Sequence, residues 1–172
     1  MFESLMLLAV PTTVFRLLGA LGVRRFASWR AAVVHGLAVL FVASGAAHFV
    51  PDGGGVMPSH DGLTAMVPPF VPLPHLVVYG TGALELLGAA GLVREATRPV
   101  AGLCLAVLLV LMLPANVYAA LENVPLDGDP ATPLWFRIPE QAVYIAVALL
   151  AAGEGDGARR AGHRARAGVS RR

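Results

Sequence analysis

Apolar residues run almost unbroken through four stretches of this chain, and polar residues collect in the gaps between them. The stretches are 31–50, 75–93, 100–121 and roughly 134–153. Each is close to the ~20 residues that a helix rising about 1.5 Å per residue needs to cross a hydrocarbon core of about 30 Å. The pattern predicts four transmembrane helices, and so an all-α, membrane-embedded four-helix bundle. Pro139 is expected in the first turn of the last helix, where its missing N–H costs nothing. Trp135 and Phe136 just before it suit the headgroup boundary.

Residues 1–23, "MFESLMLLAVPTTVFRLLGALGV", are apolar but interrupted by Pro11, and Arg16 would be buried in a span. They read as an interfacial helix packed on the bundle, with a fifth transmembrane helix as the alternative. A cleaved leader is disfavoured, because Glu3 stands where a positive charge is expected and "GALGVRR" is a poor cleavage site. The organisation expected is an apolar helix and basic loop over 1–30, a four-helix membrane domain over 31–153 and a basic tail over 154–172. That tail, "GEGDGARRAGHRARAGVSRR", is too poor in apolar residues to fold and suits anionic lipid rather than nucleic acid.

Composition agrees with the pattern. Hydrophobic residues make up 56% of the 172 and charged residues only 14%, more apolar surface than a soluble domain of this size can hide. All 13 basic residues are arginine, and with the many alanines and glycines this suggests a GC-rich bacterial genome. The arginines also orient the chain. Arg24, Arg25 and Arg30, then Arg94 and Arg98, then six in the tail fall on one side of four spans. The opposite side holds Asp52, Asp61, Glu122, Asp127 and Asp129 with Arg137. The positive-inside rule puts the C-terminus in the cytoplasm of a multi-pass protein of the bacterial inner membrane, with loops 51–74 and 122–133 outside.

Candidate chemistry is sparse. Glu85 lies ten residues into the second span, about 15 Å from its outer end and near the bilayer midplane. A carboxyl group there is costly and faces protein or water. Thr81, Glu85 and Gly88 share one helix face, and Gly88 allows a neighbouring helix to come close. Glu85 is open to two readings, an interhelical hydrogen bond that locks packing or a polar group in a ligand or proton site. His48, Asn116 and Gln141 lie at similar depth in the outer half, above Glu85. If their faces converge they form a pocket open to the outside, with a carboxyl group and amides able to hydrogen-bond quinone carbonyls in an apolar slot. Pro114 frees the carbonyl of Val110, which Asn116 two residues on is placed to repair.

His35 lies near the cytoplasmic end and reads as structural. The single Cys104 excludes a disulfide and a CxxC pair. His48, His60 and His75 are all expected outside, but no pair has metal-ligand spacing, and no metal site is expected. Phosphate-binding, hydrolase, haem and dinucleotide motifs are missing too, which disfavours catalysis by this chain alone. In the loop after the first span, "SHDGLTAM" can form a short helix started by Ser59. The proline-rich apolar run behind it suits a cap over the bundle's outer mouth.

Taken together, "GAAHF", "MVPPFVPLPHLVVYGTGALELLGAAGLV", "TR", "LPANVYAAL" and "PLWFRIPEQ" resemble the DoxX-like family of small bacterial membrane proteins, from about His35 to Leu149. Gly82 and Glu85 supply its G-x-x-E, and Pro114, Ala115, Asn116 and Tyr118 its P-A-N-x-Y. Ala119 stands where members often carry methionine, and the extension before residue 31 departs from the shorter members. The resemblance implies a four-helix bundle and membrane-associated redox work, as in a subunit of a thiosulfate:quinone oxidoreductase and proteins of methylamine oxidation. Joined to the polar residues above, it leads to the expectation of an accessory or ligand-binding subunit that takes a quinone through Glu85, His48, Asn116, Gln141 and Thr81, partnered by a redox enzyme subunit and the lipid bilayer. A non-catalytic scaffold and a small transporter are the alternatives, and a homo-oligomer stays open.

Overall fold

The computed structural model describes residues 2–51 and 58–153. The expected tail and Asp52 lie outside the described residues. Every regular element described is helical: α1 (Glu3–Ala20), α2 (Trp29–Ala47), α3 (His60–Ala65), α4 (Pro74–Val93), α5 (Arg98–Leu121) and α6 (Leu134–Ala152), with a 3₁₀ turn at Arg24–Phe26. Five of them, all but α3, are long and apolar enough to cross a membrane. Their boundaries fall within a few residues of the stretches read from the sequence.

Helices α2, α4, α5 and α6 alternate in direction and close a ring, each packed on the next and α6 on α2. Small residues set the close approaches. A Cβ on Gly82 of α4 would come within 2.4 Å of the His48 side chain, and one on Gly45 within 3.0 Å of the Gly82 carbonyl. Gly88 faces Leu105 of α5 in the same way, as expected, and Gly102 lies against the backbone of α6. Where hydrocarbon surrounds a bundle, such backbone proximity supplies the dispersion contacts that water would otherwise drive. Leu37, Phe41, Leu92, Leu105 and Ala148 fill the centre.

α1 runs antiparallel to α2 along its length. Phe2 meets Phe136 edge-on at one end, Thr12 sits over Gly36 at the middle, and Phe15 meets His35 near the other end. This is the course of a fifth bundle helix, the alternative to the interfacial one. Arg16, which argued against a span, sits in the last half of α1 with its guanidinium 5.4 Å from the Trp29 ring centroid. A long side chain that reaches back to the helix end removes the objection.

The two ends of the bundle differ. At one, arginines cap helix C-termini whose last carbonyls have no helical donor. Arg25 donates to Val93 O (2.5 Å), Arg98 to Leu92 O (2.9 Å) and Arg30 to Leu150 O (2.5 Å). Arg25 also donates through Nε to His35 Nε2 (3.1 Å), while His35 Nδ1 donates to Ala31 O, so His35 is a structural residue of this arginine end. The opposite end carries the long connections and is called the loop end here. α2 stops at Ala47, short of the expected Val50, in tightened turns that return to Ala46 O and Ala47 O. Pro51 follows, and Val50 O accepts from His60 N (2.8 Å).

Ser59 starts α3 as expected, its hydroxyl accepting from Gly62 N at 3.2 Å. Asp127 adds a clasp from the α5–α6 connection, accepting from Ser59 N (2.6 Å) and Ser59 Oγ (2.5 Å). It stands in a tight turn with Gly128, both at positive φ, closed by the Leu126–Asp129 pairing. Pro139 is a correction. α6 begins at Leu134, which moves Pro139 into the second turn and leaves the Trp135 carbonyl without its donor. Trp135 is exposed, so that carbonyl sits at the helix end where polar groups can reach it.

Candidate functional site

Between α2, α4, α5 and α6, towards the loop end, lies a cavity of about 650 Å³. His48, Thr81, Glu85, Asn116 and Gln141 all line it, so the rotations that the sequence leaves open do bring the five together. α3 and the connection after it form the lid: Leu63 of α3 and Met66, Val67, Pro68 and Phe70 behind it belong to the lining. Phe70, Leu84 and Leu111 line the cavity and are more than half exposed, giving an apolar rim on the lipid-facing side of α4 and α5.

The five residues differ in what they have left to offer. Glu85 is 2% exposed; Ser44 hydrogen-bonds its carboxyl group, and Oε2 has no partner. Gln141 Oε1 is likewise buried and unpartnered. Native proteins seldom leave such atoms without a partner, so two of them on residues that line one cavity mark this wall as the place to look for a ligand. His48 donates from Nδ1 to Ser44 O (2.8 Å), which leaves Nε2 as its ring acceptor. Thr81 spends its hydroxyl hydrogen on Val77 O and Val78 O of its own helix (3.0 Å each) and retains only lone pairs.

Asn116 departs from the expected repair. Its Nδ2 donates to Met112 O (3.1 Å) rather than to Val110 O, because a side chain at this position returns to the carbonyl four residues back. Its Oδ1 accepts from Arg137 Nε (2.9 Å) and Nη2 (2.7 Å). Arg137 Nη1 in turn meets Glu140 Oε2 at 2.7 Å. Glu140 also accepts from Tyr144 (2.9 Å) and from Ser4 of α1. Glu140 is as buried as Glu85, but two hydroxyls and a guanidinium satisfy it. The two acids thus differ in their partners: Glu140 is held by residues of α1 and α6, while one oxygen of Glu85, a cavity-lining residue, has none.

Arg137, Glu140 and Tyr144 were not among the expected site residues. Their spacing of three and four places them on one face of α6, a signal present in "RIPEQAVY". Ser4 had no such signal, since its role depends on how α1 packs.

Just outside the cavity, at the loop end, the fold assembles histidines that have no metal-ligand spacing in sequence. His60 Nδ1 donates to His48 O (2.7 Å), and His60 Nε2 lies 2.9 Å from His75 Nδ1. Tyr79 stacks on His60 at 4.1 Å between ring centroids. Ligand atoms of His60, Asp61 and His75 lie within 4.8 Å of one another. The expectation of no metal site rested on spacing along the chain, which does not show that α3 folds against α4.

A family model described as a domain of unknown function (DUF8561) matches residues 37–152, more than half of the chain. No curated protein and no solved structure matches.

Proposed function

The chain belongs to the DUF8561 family, and we propose that it is a ligand-binding accessory protein of membrane-associated redox metabolism that takes a quinone into the cavity beside Glu85. One observation carries the reading: two buried oxygens without partners, Glu85 Oε2 and Gln141 Oε1, belong to side chains that line a cavity in which apolar residues of α2, α4, α5 and the lid sit beside a few polar ones, His48, Thr81 and Asn116 among them. A cavity of this size is in the range that holds a small organic ligand, and few convergent polar groups in an apolar slot fix orientation rather than bulk affinity. A quinol hydroxyl meets an acceptor at Glu85 Oε2 or Gln141 Oε1, and a quinone carbonyl meets the Gln141 amide. The rim at Phe70, Leu84 and Leu111 suits an isoprenoid tail that reaches lipid.

The resemblance to the DoxX-like family supports redox work, since its G-x-x-E and P-A-N motifs contribute Glu85 and Asn116 to this cavity. On this reading the protein lies in a bacterial inner membrane with the arginine end in the cytoplasm, the cavity opens outward, and a redox enzyme subunit is the partner. The test is to purify the chain in mild detergent from its native membrane and analyse the organic extract by mass spectrometry beside Glu85→Gln. A stoichiometric quinone in the parent, depleted in the variant, is expected. An empty extract from both, with the variant less stable, would replace this reading with a non-catalytic scaffold.

A further inference from the structure

We propose that His60, His75 and Asp61 form a divalent-metal site that fastens the lid of the cavity to α4. This inference is independent of what occupies the cavity. Its ligands come from two elements: His60 and Asp61 open α3, and His75 is in the first turn of α4. Asp61 directly follows His60 in the chain, and the fold brings His75, fourteen or fifteen residues on, to the pair.

The chemistry of the donor set is specific. His60 is 4% exposed and held by the His48 carbonyl through Nδ1–H, which fixes the tautomer and leaves the Nε2 lone pair directed at His75. A second-shell carbonyl that orients an imidazole in this way is the usual companion of a histidine metal ligand. The Tyr79 ring packed on its face prevents rotation. Without metal, the 2.9 Å separation between the two imidazoles is a hydrogen bond that His75 Nδ1–H donates. With metal, that proton moves to His75 Nε2, and both nitrogens bind.

Two zinc–nitrogen bonds of about 2.0–2.1 Å at a tetrahedral angle need roughly 3.3 Å between nitrogens. Exposed His75 is free to make that adjustment of a few tenths of an ångström, and exposed Asp61, whose carboxylate lies within 4.8 Å of both nitrogens, to swing inward, while buried His60 stays in place. Two imidazoles and one carboxylate, with a fourth position left for water, suit Zn²⁺ or Co²⁺ rather than Ca²⁺ or Mg²⁺. The consequence is mechanical. Leu63 and Met66, in and just after α3, line the cavity, so a metal joining α3 to α4 holds the lid over its mouth.

The test uses the full chain in detergent, freed of any affinity tag and stripped with a chelator. Zn²⁺ is titrated against a chromophoric competitor, and Co²⁺ binding is followed by the visible absorption of four-coordinate cobalt. One saturable equivalent is expected. His75→Ala and Asp61→Asn should each weaken binding by at least the roughly 10–100-fold that loss of a second-shell partner costs. Asp61 is exposed, so metal-free Asp61→Asn should melt as the parent does, while metal-free His75→Ala also loses its hydrogen bond to buried His60 and should melt somewhat lower. His163→Ala, in the C-terminal tail, should bind as the parent. Zn²⁺ should also slow proteolysis of the segment between α3 and α4 in the parent and not in His75→Ala. No saturable binding, or binding that His75→Ala leaves unchanged, would overturn the proposal and reduce the pair to a structural hydrogen bond.

Discussion

Glu85 and Glu140 are equally buried, and only their partners tell them apart. Removing one member of a buried ion pair leaves the other uncompensated, at a cost of 3–5 kcal/mol. Arg137 is a quarter exposed, which places Glu140→Leu near the low end, about 3 kcal/mol. Glu85→Leu strands no charge and frees only the Ser44 hydroxyl, so its cost should stay under about 1 kcal/mol. Thermal unfolding of the two variants in one detergent checks the contrast. Equal losses would mean that Glu85 is as much a packing residue as Glu140. The position of Glu85 near the middle of an apolar span was readable as soon as the chain was written out. Glu140 was harder to see, because it lies at a span's end, where charges are ordinary, and one of its partners comes from α1, far away in the chain.

At the scale of the helix, two glycines of α4 separated by one residue should respond in opposite ways. Gly80 has nothing within 4 Å of where a Cβ would stand. Gly80→Ala should therefore gain the helix preference of alanine, roughly 0.5–1 kcal/mol. At Gly82 the same methyl group meets the His48 side chain and the Gly45 backbone, where α2 and α4 are closest. Gly82→Ala should cost about 1–3 kcal/mol, the range for overpacking. Melting temperatures of the pair, each against the parent, decide it. Helix existence and boundaries were legible because a membrane span needs a long apolar run and shows it. Which glycine sits in a contact was not, since neighbouring glycines look alike until a second helix is placed against them.

For the molecule as a whole, the antiparallel course of α1 along α2 has a topological consequence. If α1 spans, the N-terminus emerges on the same side as the lid, and the α4–α5 turn on the other. After Cys104→Ser, Phe2→Cys and Phe70→Cys should label with an impermeant maleimide from one face of sealed vesicles. Glu95→Cys should label only from the opposite face. Labelling of Phe2→Cys from the Glu95 side would return α1 to the surface of the membrane. The family match begins at residue 37 and leaves α1 out, yet Ser4 of α1 completes the shell of Glu140. Shortening the chain to the matched region should therefore unsettle α6 as well as remove α1.

The sequence by itself determined that the chain is helical, where its long helices begin and end, and how deep Glu85, Asn116, Gln141 and His48 lie. These follow from apolar run length and the fixed rise of a helix, which are properties of one segment at a time. It also marked Ser59 as the start of α3, because a cap is a contact between near neighbours. The rotation of each helix about its axis depends on all the others, and the sequence leaves it open. Only the packed bundle turned the five predicted residues into one cavity, joined Glu140 to Ser4 of α1, and set His60 against His75.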